Sequence, residues 1–163
     1  MKSNIKSILK IIFFGIITIL IIIQFLPIGK NHINPPVLNE PQWDSRQTRT
    51  TFMRVCADCH SNETKWLWYS NVAPVSWFIQ DHVDEAREHL NVSEWGVKKY
   101  HEDDAVKEVQ SGGMPLDNYL WLHPEAKLTP QEKEQFIQGL KATFGGEEKE
   151  ESETSEEEES ETE

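Results

Sequence analysis

The chain contains only two cysteines in 163 residues, Cys56 and Cys59, and no second C-x-x-C pair follows them. At most one disulfide is therefore possible. A zinc site would lack its second pair of ligands, because the histidines are scattered and do not have metal-binding spacing. A thioredoxin-like thiol pair would need a βαβ context, and no segment has a convincing strand pattern. A lone disulfide or a different thiol chemistry is left for this pair.

The chain also lacks a net positive charge. The formal net charge is −12, and residues 147–163 contribute −10 of it through eleven glutamates and one lysine. This acidic tail is too polar to bury apolar surface, so we expect it to be disordered. It could be a solvating extension, or it could attract a basic redox partner through its negative charge. No basic patch occurs in the part predicted to be exported, so nucleic-acid binding is not expected.

The stretch Cys56-Ala57-Asp58-Cys59-His60 reads C-x-x-C-H, which is the attachment signature of a c-type haem. Two thiols one short turn apart can add to the two vinyl groups of one porphyrin. The histidine that follows then lies under the iron and supplies its axial nitrogen. The motif predicts one covalent haem c, attached through Cys56 and Cys59, with His60 as an axial iron ligand.

Residues 11–28 carry no charge and are long enough, with the apolar residues before them, to cross a bilayer. A cleaved signal peptide is the alternative, but no A-x-A site follows, which favours an uncleaved anchor. Lys2, Lys6 and Lys10 precede the run, and only Lys30 follows it closely. The positive-inside rule therefore places the N-terminus in the cytoplasm and the rest of the chain on the outer side of the cytoplasmic membrane, where covalent haem attachment occurs.

We predict an all-α fold, a small cytochrome-c-like haem domain behind a single N-terminal transmembrane helix. One helix should have Asp44 as its N-cap and enter the cysteine pair, and another should open at Ala73-Pro74. A third should run from about Ser93 to Gln110, and the last should open with a capping box at Thr129. The predicted parts are a cytoplasmic tip and anchor (1–30), a Pro-rich linker holding the domain off the membrane (31–42), the haem-binding domain (43–145) and the acidic tail (146–163).

Met114 is the candidate for the sixth iron ligand. It lies in a loop between Gly112-Gly113 and Pro115, ahead of the last helix, where small c-type cytochromes place a distal methionine. Met53 is too close to Cys56 to reach the opposite haem face. Met114 could instead be an ordinary core residue, the iron could be five-coordinate, or a histidine could bind it. The candidate histidines are His82, His89, His101 and His123.

An aromatic cluster follows the haem motif and could either wall the haem or form ordinary core. Its members are Trp66, Trp68, Tyr69 and Trp77. His60 also needs an acceptor for its second ring nitrogen. We expect a backbone carbonyl of the Ala73-Pro74 segment to supply it.

About 100 residues resemble the haem-binding domain family of bacterial membrane-anchored, cytochrome-c-like proteins. The resemblance rests on C-x-x-C-H-S-N-x-T-x-W, W-Y-S, A-P-V-S-W, H-V-x-x-x-R-x-x-L-N-x-S-x-W, M-P, and Y-x-x-x-H-P-x-A-x-L-T. Two positions depart from the family pattern, Leu67 where proline is expected and Ala86 where glycine is expected. The resemblance implies covalent haem on Cys56 and Cys59 with His60 as ligand, and it supports Met114 less strongly. It also makes Trp77, His82 and His123 family positions without giving their roles.

The function expected from these features is that of a non-enzymatic, membrane-anchored monohaem carrier that passes single electrons to a redox protein partner outside the cytoplasmic membrane. Two alternatives stay open. One is a haem sensor or peroxidase-like protein with an open distal site. The other is an accessory haem subunit of a respiratory complex.

Overall fold

A computed structural model describes residues 2–100 and 102–145. The predicted acidic tail and His101 lie outside the described residues. The fold is all-α, as predicted, and no strand occurs in the described part of the chain. The α-helices are α1 (Lys2–Ile23), α2 (Arg46–Val55), α3 (Ala57–His60), α4 (Val75–His89), α5 (Glu102–Ser111), α6 (Asp117–Leu122) and α7 (Pro130–Phe144), with 3-10 turns at Trp68–Asn71 and Pro124–Ala126.

Local signals place the ends of several helices correctly. The Thr129 side chain accepts a hydrogen bond from the Glu132 backbone, and the Glu132 carboxylate accepts one from the Thr129 backbone, so the predicted capping box opens α7. Helix α2 begins one residue later than predicted. Its cap is Ser45, whose hydroxyl oxygen accepts a hydrogen bond from the Thr48 backbone (3.1 Å), and Asp44 lies outside the helix.

The prediction of a helix from about Ser93 to Gln110 is wrong in its first half. Helix α5 starts only at Glu102, because residues before it form backbone hydrogen bonds with residues 38 and 39. The Ser93 carbonyl accepts a hydrogen bond from the Leu38 N–H (2.8 Å), and the Trp95 N–H donates to the Asn39 carbonyl (3.1 Å). The segment predicted as a linker is therefore hydrogen-bonded over part of its length. The sequence analysis also missed the short helix α6.

The described residues form two compact units. The larger one, unit 2, contains residues 34–64 and 85–145. Helices α2 and α7 pack so closely in it that a side chain on Gly139 would overlap the Thr48 side chain. Its buried core comprises Phe52, Leu90, Val92, Tyr100, Val106, Val109, Phe136 and Leu140.

Unit 1 contains residues 2–33 and 65–84. Its first element, α1, has 22 residues, and it is the one helix of the described chain that is long and apolar enough to cross a membrane. Most of the large apolar side chains of α1 are exposed along the helix. The rest of unit 1 carries the aromatic residues that follow the C-x-x-C-H motif.

Candidate functional site

The C-x-x-C-H motif lies in unit 2 and forms one tight turn where α2 gives way to α3. The Cys56 carbonyl accepts hydrogen bonds from the backbone N–H groups of Cys59 (3.1 Å) and His60 (2.9 Å). Both cysteines are free thiols and half-buried. The turn therefore holds two unpaired sulfurs and the histidine within five consecutive residues, which is the arrangement that attachment of one porphyrin requires.

The environment keeps both thiols protonated. Burial raises the pKa of Cys56 to about 12, with a smaller contribution from Cys59. Burial and the negative charge of Asp58 raise the pKa of Cys59 to about 11, while Arg87 opposes the rise. Catalytic thiols and zinc ligands act as thiolates, whereas thiols with pKa values this high are neutral near pH 7.

The ring of His60 is held by a backbone carbonyl. Its Nδ1 lies 3.0 Å from the carbonyl oxygen of Leu90. A carbonyl can only accept, so Nδ1 carries the proton and Nε2 presents its lone pair. Burial lowers the pKa of His60, although the carbonyls of Leu90 and Ala86 oppose this effect, and the ring is neutral near pH 7. The expected acceptor in the Ala73-Pro74 segment is thus wrong, and Leu90 takes that role.

A buried polar network fixes the chain on both sides of this bond. The Val92 N–H donates to the His60 carbonyl (3.0 Å), and the Asn62 N–H donates to the Ser93 hydroxyl (2.9 Å). The Asn91 side chain donates to the Asn62 side-chain oxygen (2.8 Å) and accepts from the Ser93 N–H (3.0 Å). Residues 60–62 and 90–93 are therefore joined by side chains as well as by backbone.

Arg87 braces the same turn from the end of α4. Its Nε donates to the Ser61 carbonyl (2.9 Å), and its Nη2 donates to the Thr64 hydroxyl (2.9 Å). Sequence reasoning gave Arg87 and Asn91 no role. Their membership of the family pattern was the available signal.

A second brace reaches the motif from α6. The Tyr119 hydroxyl donates to the Asp58 carboxylate (2.9 Å), and Asp58 lies between the two cysteines. Burial and the Asp58 charge raise the pKa of the Tyr119 hydroxyl, so it stays a donor. His123 stacks on the Tyr119 ring (centroids 3.8 Å apart), and its Nδ1–H donates to the Tyr119 carbonyl (2.9 Å).

Met114 packs against the unit 2 core, as does Cys56. Its N–H donates to the Glu108 carbonyl (3.1 Å), just beyond the end of α5. The preceding Gly112 has a φ of +85°, a conformation that favours glycine and lets the chain turn out of the helix. Met53 packs against the same core. The assignment of Met114 as sixth ligand stays a prediction.

The aromatic residues predicted to pack on haem all lie in unit 1. Trp66 stacks on His32 (centroids 4.3 Å apart), and Trp68 meets Tyr69 edge to face (5.8 Å). The buried Trp77 Nε1 finds no hydrogen-bond partner among the described residues. Their role at the haem stays a prediction.

The rival histidines differ in their surroundings. The His82 Nδ1–H donates to the Phe78 carbonyl one turn earlier (3.0 Å), and His89 is exposed. His123 is buried, with 7% of its surface exposed.

Comparison with protein families gives one match, to a family described as "Haem-binding domain", over residues 18–142. The chain belongs to this haem-binding domain family. It is accordingly a haem-binding protein. Neither the curated proteins nor the solved structures contain a significant match to the chain. The matched range includes the whole C-x-x-C-H turn, its braces and Met114, and it begins inside α1.

The residues present fit a haem. Two unpaired thiols share one turn with a neutral histidine whose Nε2 lone pair is available. Among the described residues, no group of three or more His, Cys, Asp or Glu side chains is arranged to hold a bare metal ion. The donor set therefore suits iron that is carried by a porphyrin.

Proposed function

We propose that the protein is a membrane-anchored, monohaem, c-type cytochrome-like electron carrier. Haem would be attached through thioether bonds to Cys56 and Cys59, with His60 Nε2 and Met114 as axial ligands. The observation that carries the proposal is the fixed His60 ring, whose Nδ1–H is bonded to the Leu90 carbonyl in the same turn as two free thiols.

Each residue in this proposal has a defined task. When bound, the haem supplies an iron that changes oxidation state by one electron. Cys56 and Cys59 keep the porphyrin on the chain, and the Leu90 carbonyl orients His60 and makes its Nε2 a better donor. Met114 would occupy the second axial position, where a thioether raises the reduction potential and keeps other ligands away from the iron.

The location follows from charge and from the chemistry of attachment. Lys6 and Lys10 lie in α1 on the N-terminal side of its uncharged stretch, so we infer that the N-terminus faces the cytoplasm. The haem-binding part would then be on the outer side of the membrane. There it would exchange electrons with a redox protein partner, without an enzymatic reaction of its own.

A second candidate is a sensor or peroxidase-like protein whose distal ligand leaves the iron. One observation favours it. The loop of Met114 is attached mainly at one acceptor, the Glu108 carbonyl, which accepts hydrogen bonds from the Gly112 N–H, the Met114 N–H and the Ser111 hydroxyl (3.1 Å each).

The two candidates are separated by the absorption spectrum of the full-length, haem-loaded protein in detergent, in ferric and ferrous states with and without carbon monoxide. An electron carrier predicts a low-spin spectrum with the near-infrared thioether–iron band and no change with carbon monoxide. A high-spin spectrum or ready carbon monoxide binding would contradict the carrier and favour the open site.

A further inference from the structure

We propose that residues 66–78 of unit 1 lie in the lipid–water interface beside the end of α1, so that the protein contacts the bilayer through a second segment. This inference rests on the proposed membrane anchoring by α1. It concerns only unit 1, and the ligand is the interfacial region of a lipid bilayer.

The first observation is a pair of hydrogen bonds at the end of the anchor. Gln24 directly follows the last residue of α1. Its side-chain oxygen accepts from the Ala73 N–H (2.9 Å), and its side-chain nitrogen donates to the Ala73 carbonyl (2.8 Å). A glutamine that bonds both backbone groups of one residue fixes that residue closely. Ala73 therefore sits at the depth where α1 ends.

Two further contacts hold the chain after Gln24 against the same segment. Gly29 has a φ of +66°, and a Cβ there would lie 2.5 Å from the Ser76 carbonyl oxygen, so the two backbones touch. His32 stacks on Trp66 with the rings 9° from parallel. The chain does not leave the anchor as a free tether, and the family match begins at residue 18, which makes the anchor's end part of the domain.

The segment so placed has the surface of an interfacial element. Residues 66–80 contain no charged residue, in a chain that is 27% charged. Trp68 is 78% exposed and Phe78 is 53% exposed, although both are large and apolar. The other exposed apolar side chains of this segment are Leu67, Val72 and Val75. Tryptophan is enriched where membrane meets water, because its ring is apolar and its N–H is polar.

Lipid is the occupant that these observations favour. The exposed side chains of Val72 and Val75 flank Ala73, which the Gln24 side chain joins to the end of α1, and most apolar side chains of α1 are exposed as well. Residues 66–80 offer no charged side chain that a partner protein could recognise. Charge returns on α4 at Asp81 and Asp84, and Asp84 lies nine residues, or about 13 Å of helix, beyond Val75.

Nitroxide labels on the full-length, haem-loaded protein in lipid nanodiscs test the proposal. Single replacement by p-acetylphenylalanine, labelled through its ketone, leaves the native cysteines out of the reaction. Trp68 and Phe78 are the test positions, Asp84 is the matched control on the same helix as Phe78, and Phe14 in α1 reports anchoring. A native haem spectrum confirms that each variant is folded. The readout is the ratio of collision rates with oxygen, which dissolves in lipid, and with a polar nickel complex.

We expect the oxygen-to-nickel ratio to be highest at Phe14, several-fold higher at Trp68 and Phe78 than at Asp84, and lowest at Asp84. Equal ratios at Trp68, Phe78 and Asp84, with Phe14 in lipid, would overturn the interfacial position of residues 66–78 and leave the membrane anchoring by α1 intact. Labels at Trp68 and Phe78 shielded from both reagents would also overturn it, in favour of a protein or a second copy. A nickel-accessible label at Phe14 would refute the membrane anchoring by α1, and with it the interfacial position of residues 66–78.

Discussion

The two sides of the proposed haem site are held very differently. On one side, His60 is fixed through its ring by Leu90 and through its carbonyl by Val92, and Asn62 continues the network. On the other, Met114 has one backbone hydrogen bond to Glu108, and its side chain packs on the unit 2 core. If His60 and Met114 are the iron ligands, as proposed, this difference means that the protein places the His60 ring before haem arrives. The distal ligand would be placed largely by its bond to iron.

The largest expected effect concerns the thiols. Replacing both, Cys56→Ser with Cys59→Ser, should abolish covalent haem, because no other cysteine is available. Each single variant should retain haem through one thioether bond and serves as the matched control. Haem that stays with the denatured chain is measured on a gel and by its pyridine complex. Covalent haem in the double variant would refute the attachment site.

Loss of the proximal ligand should come next. His60→Ala should remove the strong nitrogen ligand and leave a high-spin or unstable haem, because the hydrogen-bond network around residue 60 then holds no imidazole ring that can bind iron. His82→Ala and His123→Ala are the controls, and each should keep a low-spin spectrum. If His82→Ala or His123→Ala instead becomes high-spin while the near-infrared thioether band is absent from the parent protein, the sixth ligand is that histidine.

The distal side is tested by Met114→Ala, with Met53→Ala as the matched control because both methionines pack on the unit 2 core. Only Met114→Ala should lose the thioether–iron band, bind carbon monoxide in the ferrous state and show a lower reduction potential, by on the order of 0.1 V. Equal behaviour of the two variants would show that Met114 is a core residue.

The network behind His60 should contribute a smaller, measurable amount. Asn91→Ala removes the partner of the buried Asn62 side-chain oxygen and of the buried Ser93 N–H, and it should lower the free energy of unfolding by about 1–3 kcal/mol. Asn71→Ala, at an exposed asparagine, should change it by less than about 0.5 kcal/mol. Thermal unfolding of the haem-loaded protein measures both. Equal losses would show that Asn91 is not part of a stabilising network.

The smallest effect belongs to the ion pair that holds the extended segment behind the network. The hydrogen bonds from Arg49 lower the pKa of Glu40. A lowered pKa in the folded state gives stability that is present above the unfolded value, near 4.5, and is lost as the pH falls through the folded value. Glu40→Gln should therefore remove less than about 1 kcal/mol at pH 7 and nothing at low pH. A loss that persists at low pH would contradict this.

The features predicted well from sequence are those that neighbouring residues determine. The capping box at Thr129 and the apolar helix before Gln24 depend on short-range patterns, and so does the turn of the C-x-x-C-H motif. The two errors that most affect the site involve distant residues. Helix α5 starts late because Ser93 and Trp95 pair with residues 38–39, and the acceptor for His60 is Leu90, 30 positions away. Local periodicity contains no information about such pairs.

The central claim, one haem held covalently by the C-x-x-C-H turn, is tested most directly by the mass of the exported full-length chain under denaturing conditions. The account predicts a single species heavier by one haem, with no thiol left to react with an alkylating reagent. A chain of unmodified mass with two alkylatable thiols, after haem has dissociated, would contradict it.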